Sequence, residues 1–156
     1  MASLEERIAR LEAESEIRRL KARYLNACDA KDVEAIRACF TPDADLDYRP
    51  VGKFGPDGLI EAFTRIAVES PIVDVHQIHN GEIEIVDTDR ATARWSLGFS
   101  TYDPRTGGFR LIGSFYYDEY VRTADGWRVS KSRHEPRTIV DGTIGEGGVT
   151  ARSILG

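Results

Sequence analysis

The chain has 156 residues, 41% of them hydrophobic and 30% charged, close to the globular average, so neither a disordered nor a fibrous class fits. That length suits one ordinary domain, 1–156, able to bury well over half of its unfolded surface. A net charge of −5 argues against a nucleic-acid footprint, which needs a basic patch to release counterions from phosphates.

The opening stretch, "MASLEERIARLEAESEIRRLKARYL", is charged throughout and holds no apolar run of signal or spanning length. A cytoplasmic protein with no membrane partner is expected. Ile8, Leu11, Ile17, Leu20, Tyr24 and Ala27 recur at three- and four-residue steps, with a slip at Glu14 and Ser15. Residues 4–30 therefore read as one long or once-broken amphipathic helix. Asp32 is the expected N-cap of a second helix running through Cys39. "TPDAD" closes that helix, "ADLDYR" reads as a short strand, "FGPDG" as a turn and "LIEAFTRIAVES" as a third helix stopped by Pro71. Cys28 and Cys39 fall on neighbouring helices and read as reduced core residues.

The period then changes to two. Residues 73–86, 90–103, 108–123 and 126–140 read as four strands joined by "DTD", "DPRTGG" and "TADG", which makes them antiparallel hairpins. Helices first and a long sheet afterwards is an α+β order, with the helices covering one face of a mostly antiparallel sheet. Strong curvature would enclose a pocket, and fourteen aromatics are enough to line it. The Gly-rich segment 141–156 reads as a mobile tail or as an arm over a pocket or a neighbouring subunit.

"YLNACDAKD" ends the first helix on a lone Asp29. At 3.6 residues per turn it lies about 40° around the helix from Leu25 and about 140° from Tyr24, flanking the buried stripe. The helix C-terminus disfavours a carboxylate's charge, and burial would act in the same sense, which suits a general base. An ordinary polar helix end fits the same position. His76 and His79 share "VHQIHNGEIEI" but project to opposite faces of a straight strand, so they cannot jointly hold a metal. Parity groups His79 with Ile83 and Ile85 on the buried face, whereas a bulge at Gly81 would bring His76 inward instead. No metal or cofactor is expected. Trp95, Leu97 and Phe99 share one strand face, and Phe109, Leu111, Gly113, Phe115 and Tyr117 share another. Both read as core that also supplies cavity wall. Arg133 and Arg137 close the last strand, where a cation would meet an anionic substrate group or simply solvent.

Taken together, "IRRLKARYLNACDAKD", "HQIHN", "ATARWSL" and "YYDEYVRTADGWRV" resemble the SnoaL-like members of the nuclear-transport-factor-two-like superfamily. That resemblance implies a cone of helices and curved sheet around a deep pocket. "YLNACDAKD" is similar to the bile-acid dehydratase pattern, which places a catalytic tyrosine at Tyr24 and an aspartate at Asp29. "CDAKD" and "LDYR" resemble scytalone dehydratase segments, which places a water-orienting tyrosine at Tyr48. The catalytic histidine of these families falls at His76, against the straight-strand count, and a kink near Gly81 is expected. The sequence departs from the bile-acid enzymes at Phe99, where they carry an acid, and Arg137 is one residue out of register with their arginine.

The resemblance thus implies a cofactor-independent, dehydratase-like lyase acting on a small to medium apolar, aromatic or steroid-like ring. Asp29, His76 and Tyr24 would be catalytic, with Tyr48, His79, Phe99, Trp95 and Arg137 contacting substrate. An isomerase or polyketide-type cyclase would use the same dyad, and a non-catalytic subunit, as in ring-hydroxylating dioxygenases, would use the fold alone. A homo-oligomer, dimer or trimer, is expected in each case.

Overall fold

A computed structural model describes residues 2–156. Ser3 opens the first helix, α1 (Leu4–Ala30), with a capping box: its hydroxyl accepts from the Glu6 amide at 3.1 Å, and the Glu6 carboxylate accepts from the Ser3 amide at 2.7 Å. The helix is continuous through Glu14 and Ser15, since a polar slip leaves the backbone bonds untouched. Its buried face is Ala13, Ile17, Leu20, Lys21, Tyr24, Leu25, Ala27 and Cys28. Ile8 and Leu11, expected in that stripe, are exposed at 47% and 66%. A helix of 27 residues is about 40 Å long at 1.5 Å per residue, and its first turns extend past what the sheet covers.

Lys31 terminates α1 in the left-handed conformation (φ 57°), costly for a residue with a Cβ. Its ammonium then donates to the Ser70 and Ile72 carbonyls at 2.9 and 2.8 Å, tying the helix end to a distant loop. Asp32 caps α2 (Val33–Arg37), accepting from the Ala35 amide at 3.0 Å. This helix ends before Cys39, because β1 (Phe40–Tyr48) already begins at Phe40 and takes in "TPDAD". Pro42, lacking an N–H, falls where the register of that strand is irregular. A hairpin leads to β2 (Gly52–Phe54), and Pro56 starts α3 (Pro56–Phe63) rather than a turn. A π-helical turn over Thr64–Val68 completes it.

The remaining strands are β3 (Val73–Ile85), β4 (Arg90–Asp103), β5 (Gly108–Thr123), β6 (Gly126–Gly145) and β7 (Gly148–Leu155). The seven-stranded sheet runs β2-β1-β6-β5-β4-β3. It is mixed, since β1 runs parallel to the first half of β6, with Leu46 opposite Ser132 and Tyr48 opposite His134. The second half of β6 pairs with β7, from Ile139 opposite Leu155 to Gly145 opposite Gly148. The tail expected over 141–156 is therefore strand. Gly145, Gly147 and Gly148 sit at the hairpin, where Gly148 takes φ +106°, a conformation that favours glycine. Helix α1 packs on β3 and β6, and α3 packs on β1, so the helices close one face of an open, curved sheet. Among the described residues no helix is long and apolar enough to cross a membrane.

Candidate active site

Asp29 in the last turn of α1 and His76 near the start of β3 meet at the rim of this cone. His76 Nδ1 lies 2.6 Å from Asp29 Oδ1, and the His76 backbone amide lies 3.1 Å from both carboxylate oxygens. A carboxylate can only accept here, so Nδ1 carries a proton, and in the neutral imidazole tautomer Nε2 is the nitrogen with the free lone pair. The two side chains are 27% and 13% exposed, which leaves the pair within reach of a solute. The ring of Phe99, the β4 partner of His76, lies against it in a tilted contact at 4.6 Å and 51°.

The inward turn of His76 rests on a bulge. Asp74, His76 and Ile78 alternate inward, and beyond the bulge Ile83 and Ile85 do. Between them the pairing skips from His79 opposite Ser96 to Glu82 opposite Arg94, with Asn80 at φ +50°. Gly81 is required at this place, because a Cβ there would collide with the Trp95 ring. The kink expected near Gly81 is present, and His79 is left exposed on the other side. Its assignment as a substrate contact does not agree with that position.

Tyr24 and Tyr48 are buried in the core, at 4% and 8% exposure. Among the described residues Tyr48 Oη makes no hydrogen bond of good geometry, and the Tyr24 and Ser132 hydroxyls are its nearest polar neighbours in hydrogen-bonding reach. Desolvation raises the pKa of both phenols, so both stay protonated donors. Trp95 lies deeper, its indole N–H donating to Tyr120 Oη at 3.1 Å, and belongs to the core rather than the rim. Arg137 and Arg133 are on the outer face. Their guanidinium groups sit 5.8 Å from the Phe115 ring and 4.6 Å from the Tyr117 ring, and Arg94 sits 4.3 Å from Phe115. The cation expected in the site from Arg137 is absent from it. Phe115 and Tyr117 project outward beside these arginines, because strand alternation turns Ser114, Tyr116, Asp118 and Tyr120 of β5 inward.

Several polar residues inside the cone escaped sequence reasoning. Lys21 Nζ pairs with Asp118 Oδ2 at 2.8 Å, with both side chains essentially inaccessible (1% and 0%). Asp118 also accepts from Tyr120 at 2.8 Å and Ser132 at 2.7 Å, and the ammonium lies 3.5 Å from the Tyr116 ring centroid. Burial pulls the Lys21 pKa down, and Asp118 opposes that shift. The spacing of Ile17, Lys21, Tyr24 and Cys28 on one stripe was the available signal. His134 donates from Nδ1 to the Arg49 carbonyl at 3.0 Å and accepts at Nε2 from Ser114 at 2.8 Å. Its pKa is lowered, chiefly by burial. A concavity of about 650 Å³ lies on the outer face, beside Glu82, Arg94, Tyr117 and Arg133, away from the dyad.

Helices closing a curved mixed sheet, with an acid–histidine pair at the rim, define a cone of the nuclear-transport-factor-two-like kind. The chain belongs to the SnoaL-like domain family, whose model matches residues 9–133. It is 30% identical over 131 residues to uncharacterised proteins of Mycobacterium tuberculosis and Mycobacterium bovis, covering 78% of this chain and 84% of each relative. Two solved structures show the same fold. One is a hexachlorocyclohexane dehydrochlorinase, LinA-type3, from Novosphingobium barchaimii (TM-score 0.75, 18% identity, covering 96% of this chain and 94% of that one). The other is a Novosphingobium aromaticivorans protein assigned as a scytalone dehydratase (TM-score 0.77, 18% identity, covering 84% and 88%).

Proposed function

We propose that the protein is a cofactor-independent lyase of the dehydratase type, acting on a ring substrate with a C–H bond acidified by a carbonyl. The observation that carries this reading is the Asp29–His76 contact of 2.6 Å, with the carboxylate held a second time by the His76 amide. Such an arrangement leaves Nε2 as the base. It takes the proton α to the carbonyl, the C–H electron pair becomes the new double bond, and the β C–O bond breaks. The proton now on Nε2 passes to the departing oxygen, so water leaves and His76 returns to its neutral form. Asp29 stabilises the imidazolium formed in between. Tyr48, a buried donor that makes no well-formed hydrogen bond among the described residues, would hold the carbonyl oxygen as charge develops there, with the Tyr24 hydroxyl beside it. Names given to proteins of the same fold, a dehydrochlorinase and a scytalone dehydratase, agree with elimination as the reaction class.

The test is a screen of cyclic β-hydroxyketones for loss of one water by mass spectrometry, with Asp29→Asn and His76→Ala alongside. Each substitution should abolish turnover and preserve the fold, because acid–base catalysis supplies on the order of 10² to 10⁴ in rate. Unchanged turnover in either variant removes that residue from the mechanism. A product of unchanged mass would instead identify an isomerase or cyclase working through the same dyad.

A further inference from the structure

Helix α1 carries two apolar faces. One packs on its own sheet through Ala13, Ile17, Leu20 and Tyr24. The other is Leu4, Ile8 and Leu11, exposed at 64%, 47% and 66% and grouped with Ser15 within about 60° of one another at 3.6 residues per turn. Ala13 lies about 180° around the helix from Leu4, so the second stripe points away from the domain. Glu6 and Ala13 line a groove against Ile85 and Val86 at the end of β3, which marks their side as the one facing the sheet. The stripe stops at the next position of the series, because Arg18 turns back to donate to the Gly81 carbonyl at 3.3 Å. Apolar side chains scattered singly over a surface need no explanation, but three in line on one capped helix do.

We infer that this stripe is the seam of a parallel two-helix pair formed with α1 of a second copy of the chain. Its spacing is that of a heptad repeat with Leu4 and Leu11 at d and Ile8 and Ser15 at a, and Ile at a with Leu at d favours two parallel strands. The flanking charges select the same arrangement. In a parallel, in-register pair each g residue meets the e residue five positions further along the other helix. Arg7 then faces the partner's Glu12, and Glu14 faces the partner's Arg19, opposite charges at both contacts. All four positions lie outside the buried face of the helix. Reversing one helix loses the match. The antiparallel register that sets Ile8 against the partner's Leu11 brings Glu5 to the partner's Glu12, and the one that sets Ile8 against the partner's Leu4 brings Arg7 to the partner's Arg7. So short a seam would not hold isolated peptides together, since nucleating a helix is costly. Here the helix is already formed on its domain, so pairing carries no cost of ordering it. The seam faces away from the sheet, leaving the sheet's open face uncovered, and it is independent of the lyase reading.

The test is sedimentation equilibrium of the wild type, Ile8→Glu/Leu11→Glu, Arg7→Glu and Arg7→Glu/Glu12→Arg. The wild-type mass should rise with concentration to an even number of chains. The seam variant should halve that mass with far-UV circular dichroism unchanged, both side chains being exposed. Arg7→Glu turns two attractive contacts per dimer into repulsive ones and should weaken self-association roughly tenfold, and adding Glu12→Arg should restore it. Ser15→Cys should give a disulfide-linked dimer on mild oxidation, because facing a positions of a parallel pair come within disulfide reach. Ala9→Cys, on the groove side, should not, and the native Cys28 and Cys39 are buried. A wild type still at the mass of one chain at about 1 mM, an unchanged mass in the seam variant, or a charge reversal that the second substitution fails to rescue overturns the proposal. So does a dimer that the seam variant dissolves but Ser15→Cys fails to trap, since its helices would then be antiparallel.

Discussion

Replacing Lys21 by Met tests the polar floor of the cone. The ammonium and the Asp118 carboxylate are 2.8 Å apart and almost wholly inaccessible, so the substitution keeps most of the side-chain volume but strands the acid. Asp118 would retain only the Tyr120 and Ser132 hydroxyls. Removing one partner of a buried pair costs about 3–5 kcal/mol, because the remaining charge is left without compensation. For a domain of this size each kcal/mol lowers Tm by about 2–4 °C, giving a fall of roughly 6–20 °C. Urea melts should show the lower midpoint with an unchanged slope, and Lys21→Met/Asp118→Asn should recover more than half of the loss. A single-variant cost below about 1 kcal/mol, the range of an exposed pair, would refute the reasoning. So would a double variant no more stable than the single one.

Gly81→Ala should destabilise by about 1–3 kcal/mol, the cost of overpacking a core, since its methyl would meet the Trp95 ring; urea melts measure this directly. The lowered pKa of His134, ordinarily 6.5, means that the unfolded chain binds this proton more readily. Stability from this group is complete above pH 6.5 and falls as pH drops through that value towards the folded pKa. Midpoints recorded between about pH 7.5 and 5 should therefore decline less steeply in His134→Gln than in the wild type. Lys31→Met removes the donors to the Ser70 and Ile72 carbonyls and should cost about 1–3 kcal/mol. Amide exchange should quicken over residues 70–76, the segment that delivers His76.

Much of the fold was legible because its signals are local. The change from three- and four-residue spacing to alternation marks where helix gives way to sheet, and Asp32 announces its cap within three residues. Strand bounds for β4 and β5 fell at their expected residues. Phe40–Tyr48 was harder, since Pro42 and three aspartates disguise a strand whose partner, β6, is distant in sequence. Segment 148–155 was harder still: every residue of β7 is exposed, so no buried face imposes a periodic pattern, and only pairing with β6 makes it a strand.

The site divides along the same line. By itself the sequence determined the residue types and their spacing: Tyr24 and Asp29 at the end of one helix, two histidines three apart on one strand, and a glycine where that strand bends. Only the tertiary structure decided which histidine turns inward, because strand parity is reset at Asn80 and Gly81, and the bend there answers to Trp95 on the neighbouring strand. It also sent Arg133 and Arg137 outward onto Phe115 and Tyr117 and joined Lys21 to Asp118. A side chain's face on a strand depends on every bulge before it, and a buried charge depends on a partner brought near only by folding; neither is encoded in the residues adjacent to it.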